Sequence, residues 1–143
     1  MRYAYPVVFH RDENGTVLAQ APDVTGAMSV GADRREALER VQGALLVMLA
    51  ARIEDREPIP RPSKPAKGQR VAILAPVAAA KLSVYEAMRA CRMTPRSLSR
   101  RLGWTPERVG RLLDVRRRSR LEDLEAALSV LGKRLIIEVA SAA

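Results

Sequence analysis

The chain has 143 residues, 25 Lys+Arg against 16 Asp+Glu, and a formal net charge of +9. That length suits one ordinary domain or two small ones, and so basic a composition points to a polyanionic partner. A single cysteine, Cys91, excludes an internal disulfide and metal sites built on cysteine pairs, and no apolar run approaches the roughly 18 residues of a membrane span.

Residues 3–9 read as a strand with Tyr3, Tyr5, Val7 and Phe9 on one face. Pro6 cannot donate to a ladder, so it calls for an edge position or an outward-facing nitrogen. Asp12-Glu13-Asn14-Gly15 is a turn, and Asn-Gly suits the primed hairpin geometry. A second strand covers 16–21, a loop Pro22-Asp23-Val24-Thr25-Gly26 follows, and a third short strand covers 27–31. Such a meander has one face that needs cover. The cover is a helix of about twenty residues, capped by Asp33 with Glu36 and apolar at Leu38, Val41, Leu45, Met48, Leu49 and Ile53.

Pro58-Ile-Pro-Arg-Pro-Ser-Lys-Pro65 ends that helix and begins a spacer of semi-rigid polyproline II type. Residues 70–75 read as a buried strand that belongs either to the first sheet or to the second half. A helix is predicted from Val77 to about Met93, with Ala78, Leu82, Tyr85, Met88 and Cys91 inward. Thr94-Pro95 and Thr105-Pro106 are matching helix starts, a side-chain oxygen at the N-cap and proline at the first helical position, and Gly103 ends the first of the two short helices. Their apolar stripes are Leu98 and Leu102, then Val109, Leu112 and Leu113, and Ser99 is small where the helices approach. Two short helices about a glycine turn describe a helix-turn-helix. A basic loop at 116–120, a closing helix marked by Leu121, Leu124, Leu128 and Leu131, and a strand at 135–139 complete the chain. That strand has backbone groups to satisfy, and a second copy or the strand at 71–75 could supply the partner. The predicted division is 1–60, a linker and strand at 61–76, and a helical unit at 77–143.

Charge is unevenly placed. Residues 1–70 hold 11 Lys+Arg against 9 Asp+Glu (+2), and residues 71–143 hold 14 against 7 (+7). With 105–113 as recognition helix, Thr105, Glu107, Arg108 and Arg111 face bases or nearby phosphates. Arg96 and Ser97, with Arg116, Arg117 and Arg118, contact the DNA backbone. Catalysis is not expected. The first strand carries no carboxylate before Asp12, Asp23 lies in a turn, and His10 is the only histidine. No cofactor or metal is expected either. Pro6, His10, Arg11, Asp12 and Glu13 interrupt any signal-peptide apolar stretch, so a cytoplasmic protein is expected.

Tyr5-Pro-Val-Val-Phe9, the Asn14-Gly15 turn, Pro22-Asp-Val-Thr-Gly26, Arg35-Glu-Ala-Leu38 and Glu57-Pro-Ile-Pro-Arg-Pro-Ser63 resemble the HicB antitoxin family of type II toxin–antitoxin systems. Val84-Tyr-Glu-Ala-Met88, Leu98-Ser-Arg-Arg-Leu-Gly103 and Leu124-Glu-Ala-Ala-Leu128 are similar to a lambda-repressor-like (Cro/C1-type) helix-turn-helix, with Trp104 in place of the usual small aliphatic residue of the turn. The resemblance implies an α+β protein with two parts. The first is a degenerate ribonuclease H-like β-β-β-α-β domain, lacking catalytic acids, that masks a small HicA-type ribonuclease toxin. The second is an all-α helix-turn-helix domain with a terminal strand that represses the operon as a homodimer or higher oligomer on operator DNA. Two alternatives stay open, a stand-alone repressor whose first half senses a small ligand and a ribonuclease H-like nuclease.

Overall fold

In the computed structural model, which describes residues 3–142, the chain is mixed α+β, with five helices and two small antiparallel sheets among the described residues. The extended segment at the N-terminal end is divided into β1 (Ala4–Pro6) and β2 (Val8–Arg11), because its two edges find different partners. β2 pairs with β3 (Val17–Gln20), which pairs with β4 (Met28–Gly31), in register Phe9↔Ala19↔Ser29. β1 pairs antiparallel with β5 (Val71–Ile73), Tyr5 opposite Ala72. Bonds at odd positions, Val7 N to Arg70 O and Leu74 N to Tyr3 O, aim at β5, whereas Asp12 N donates to Thr16 O on the opposite edge. Pro6 therefore turns its nitrogen to the edge where pairing with β3 has not yet begun, and no ladder bond is lost. The strand left open between two homes pairs with the first extended segment, through β1, in a two-stranded sheet of its own. It is not wholly buried as expected: Ala72 and Leu74 are inward, while Ile73 is 44% exposed.

The β2–β3 turn differs from the primed type. Gly15 alone takes positive φ, +87°, Gly15 N donates to Asp12 O, and Asn14 Oδ1 accepts from Thr16 N. That is a three-residue loop in which only the glycine must be left-handed.

Helix α1 (Arg34–Glu54) lies across β3 and β4. Asp33 Oδ1 accepts from Glu36 N at 2.8 Å, and Val41, Leu45 and Leu49 are fully buried against Val17, Ala19 and Ala21. Then come α2 (Pro76–Ala90), α3 (Pro95–Leu102), α4 (Pro106–Leu113) and α5 (Leu121–Val130). Cys91, expected inward, is the C-cap of α2 and is exposed, because the helix stops one residue before it would turn back into the core. On α5, Leu124, Ala127 and Leu128 are buried, but Leu121, in the first turn, is 47% exposed.

The proline-rich segment is extended yet pinned rather than free-standing. Tyr5 Oη donates to Pro60 O at 2.8 Å, Asp23 Oδ2 accepts from Ser63 N at 2.7 Å, and Ile59 is buried. Burial pushes the Tyr5 phenol well above its ordinary range, so it remains a donor. Tyr85 Oη donates to Glu57 O and Tyr3 Oη to Glu86 Oε1, so α2 rests directly on the end of α1 and on the sheet. The predicted terminal strand is absent. Residues 133–142 take no regular structure, and Ile136, Ile137 and Val139 are 78%, 65% and 92% exposed. A strand needs a ladder, and β5 already spends one edge on β1.

Gly31 closes β4 against the first turn of α1. A Cβ there would stand 2.4 Å from Ala37 N and 2.9 Å from Ala37 Cα, backbone that cannot step aside cheaply. Gly31→Ala is expected to cost about 1–3 kcal/mol of overpacking. Urea unfolding with an unchanged midpoint would contradict this packing.

Candidate nucleic-acid interface

Two threonines set the two short helices of the basic half. Thr94 Oγ1 accepts from Ser97 N at 3.1 Å and Thr105 Oγ1 from Arg108 N at 3.2 Å, each with proline at the first helical position. Gly103 ends α3 in the left-handed conformation, φ +68°. Leu98, Val109, Leu112 and Leu124 are then buried together. Ser99 does more than leave room, since its hydroxyl donates to Trp104 O at 2.5 Å and ties the turn to α3.

This packing turns the other faces outward. Arg96, Arg100 and Arg101 are exposed on α3, Glu107 and Arg111 on α4, and Arg116, Arg117, Arg118 and Arg120 on the loop that follows. Ser97 is half-buried and Thr105 is exposed with its oxygen used as the cap. Arg108, Arg111, Arg117, Arg118 and Arg120 line one open groove with Ser119, Leu112 and Asp123. The arginines are not equivalent. Arg108 lies 3.9 Å above the Trp104 ring and donates to Asp123 Oδ1 at 2.7 Å, so its guanidinium is held within the corner. Arg116 donates through Nε to Asp114 Oδ1 at 3.1 Å and stands 3.8 Å from Glu54 of α1. No ion pair is found at Arg111, Arg117 or Arg118 among the described residues. Arg120 belongs with them in the groove, and its place in the 116–120 basic run was the available sign.

Lys81 was not singled out by composition or charge. It sits on α2 with no exposure, and Nζ donates to Arg111 O at 2.8 Å and Asp114 O at 2.9 Å. Those carbonyls end α4, where the last helical oxygens have no partners within the helix and the helix dipole is negative. Its position was legible in retrospect, since 78, 81, 82 and 85 share one face at helical spacing. Burial lowers its ammonium from 10.5 to about 8, with Asp114 opposing the shift and Arg117 adding to it. Burial works against the charged Asp114 carboxylate too, but hydrogen bonds from the Arg116 side chain and backbone outweigh it and hold the group below its ordinary value.

Elsewhere, α1 covers only one face of the β2–β3–β4 sheet. The other presents Met28 and Val30, 45% and 41% exposed, beside half-buried Val8, Leu18 and Gln20 and exposed His10. Among the described residues no cluster of three His, Cys, Asp or Glu could hold a metal ion, and no helix is long and apolar enough to cross a membrane.

Comparison with known proteins gives concordant matches. Residues 4–83 match a family described as HicB_like antitoxin of bacterial toxin-antitoxin system. The chain is 34% identical over 131 residues to antitoxin HicB 2 of Photorhabdus laumondii, covering 92% of each protein. It is 28% identical to antitoxin HicB of Pseudomonas fluorescens, covering 98% of this chain and 96% of that one. With antitoxin HicB of Escherichia coli K12 the identity is 29%, over 92% and 95% respectively.

The Lys81 geometry has a consequence for stability. Below pH 8 folded and unfolded chains both hold this proton, and the burial penalty is fully present. Between pH 8 and 10 the folded chain has released a proton that the unfolded chain keeps, so stability rises with pH by up to about 1.4 kcal/mol per unit. The raised Tyr5 phenol opposes this only above its ordinary value near 10. Urea unfolding across pH 8–10 is expected to show the rise in the native chain and not in Lys81→Met. Parallel slopes would remove Lys81 as its source.

Proposed function

The chain belongs to the HicB-like antitoxin family and is not an enzyme, and from that premise we propose that it neutralises a small HicA-type ribonuclease toxin and represses its own operon. Repression falls to the second half, read as a Cro/C1-type helix-turn-helix. The observation that carries it is the exposed run Arg111, Arg117 and Arg118, free of ion pairs among the described residues, beside a short helix whose capped first turn faces outward. Arginines already paired with carboxylates would give up those bonds to bind phosphate, whereas these three give up only water. Arg111 is the base reader in this reading, able to meet guanine with two parallel bonds. Arg108 shapes the corner by stacking on Trp104, and Arg96, Arg117 and Arg118 take phosphates. A homodimer would meet half-sites roughly 34 Å apart, and the exposed apolar residues Ile136, Ile137 and Val139 support contact between copies.

Toxin masking falls to the first half. Its order of β1 and β2 on one extended segment, then β3, β4, α1 and β5, supports a degenerate ribonuclease H-like β-β-β-α-β reading. With a net +2 on residues 1–70, overall charge would give no attraction to a basic partner. The uncovered sheet face offers apolar contact instead, through Val8, Leu18, Met28 and Val30.

Three measurements test this. Arg111→Ala is expected to lose about 1–3 kcal/mol on the operator and to relax preference at one base pair. Arg117→Ala should weaken all duplexes alike and lower the salt slope by about 1. Anisotropy titrations in which both variants match the native chain would remove α4 from the DNA. Finally, capture from the native host should recover a toxin of well under 100 residues, and Val30→Arg should lose that toxin while keeping DNA. Recovery of the toxin by Val30→Arg at native yield moves its contact off this face.

A further inference from the structure

Lys81 is the only charged side chain buried outright among the described residues. Its two acceptors are the backbone oxygens of Arg111 and Asp114, at the point where α4 ends and the basic loop begins. Asp114 leaves the helix with extended backbone, φ −87° and ψ 104°, so no left-handed residue folds the chain back over those oxygens. Asp114 N donates to Arg111 O at 3.3 Å, and a further, charged donor to both oxygens comes from α2, 30 and 33 residues away in sequence. Asp114 O also accepts from Arg117 N at 3.1 Å, and Asp114 Oδ1 accepts from Arg116 N at 3.1 Å. One buried ammonium thus anchors the backbone from which Arg111, Arg116 and Arg117 project.

We propose that Lys81 is a positioning residue for DNA binding, and that tight binding requires its ammonium to be charged. The inference rests on the DNA-binding reading above. The cation is attracted to the negative end of α4, and neutralising it removes that attraction while leaving at most a weak amine donor. Of the charged groups around it, the Asp114 carboxylate favours the ammonium and Arg117 opposes it. Arg116 lies beyond Asp114, and Glu54 of α1 beyond Arg116. Phosphates arriving along Arg117 and Arg118 add negative potential, so the complex holds the Lys81 proton more firmly than the free protein does. By linkage, binding takes up a proton at slightly alkaline pH, and affinity falls as pH rises there. With the free ammonium titrating at about 8, that range is open to measurement.

The test uses the full chain and a labelled duplex spanning the promoter upstream of its own gene, titrated from pH 7 to 9.5. The native chain should lose affinity above pH 8 by up to about tenfold per unit. Lys81→Arg, charged throughout, should give a flatter profile, and Lys81→Met should be weaker at pH 7 by about tenfold, the loss of a cation at a helix C-terminus. Circular dichroism melts establish that each variant is folded, and the native profile alone remains decisive if neither folds. A native profile flat to pH 9.5, or one that Lys81→Arg follows in full, overturns the role of Lys81 while leaving DNA binding intact. Absence of binding by the native chain at pH 7 in low salt overturns both.

Discussion

A lysine ammonium shut inside a helical bundle is costly unless acceptors meet it, and in this protein two carbonyl oxygens at 2.8 and 2.9 Å do so. The arrangement solves two problems at once. Helix α4 has eight residues, too few to persist by local propensity, and its C-terminus lacks the glycine that closes α3. Lys81 adds a charged second donor to each of these oxygens from another element, so the end of α4 also leans on α2 packed beneath it. Removing the lysine would leave each oxygen with one backbone donor, Asp114 N or Arg117 N, and removing the packing would leave a buried charge without acceptors.

The rest of the helical half follows from that fixed point. Leu98, Val109, Leu112 and Leu124 fill the space between the helices with aliphatic side chains, which leaves polar geometry to caps and turns. Trp104 is half-buried in the turn between α3 and α4 and takes the Arg108 guanidinium on its face. Exposed ion pairs such as Arg116 with Glu54 add little to stability on their own. Their effect is to direct guanidinium groups, while Arg111, Arg117, Arg118 and Arg120, with no ion pair among the described residues, line one groove.

Contacts between the two halves include aromatic hydroxyls, beside Arg89 with Arg56 O and Arg116 with Glu54. Tyr3, Tyr5 and Tyr85 each bury a ring and donate to an oxygen across the boundary or on the proline-rich strap. A phenol suits this work because its body adds apolar area while its tip satisfies a polar group. Membership of an antitoxin family asks for a surface that holds another protein. On the proposed reading, in which the first half holds the toxin, its near-neutral charge and the exposed Met28 and Val30 put shape and apolar contact ahead of charge.

What the amino-acid order determined by itself was local. Thr94 and Thr105 with their prolines, Gly103, Asp33 with Glu36 and the turn at Gly15 each act within about four residues, so adjacent side chains suffice to set them. Helical periodicity likewise marked Val41, Leu45, Leu49, Val109 and Leu112 as core, since one face of a helix is fixed by spacing alone. Only the tertiary structure decided that residues 71–73 join β1, that Arg108 is held by Asp123, that Cys91 stays outside and that 135–139 forms no strand. It also decided that Lys81 lies inside. Each of these depends on which distant element arrives to offer a ladder, a carboxylate or a carbonyl, and spacing along the chain carries no record of that arrival.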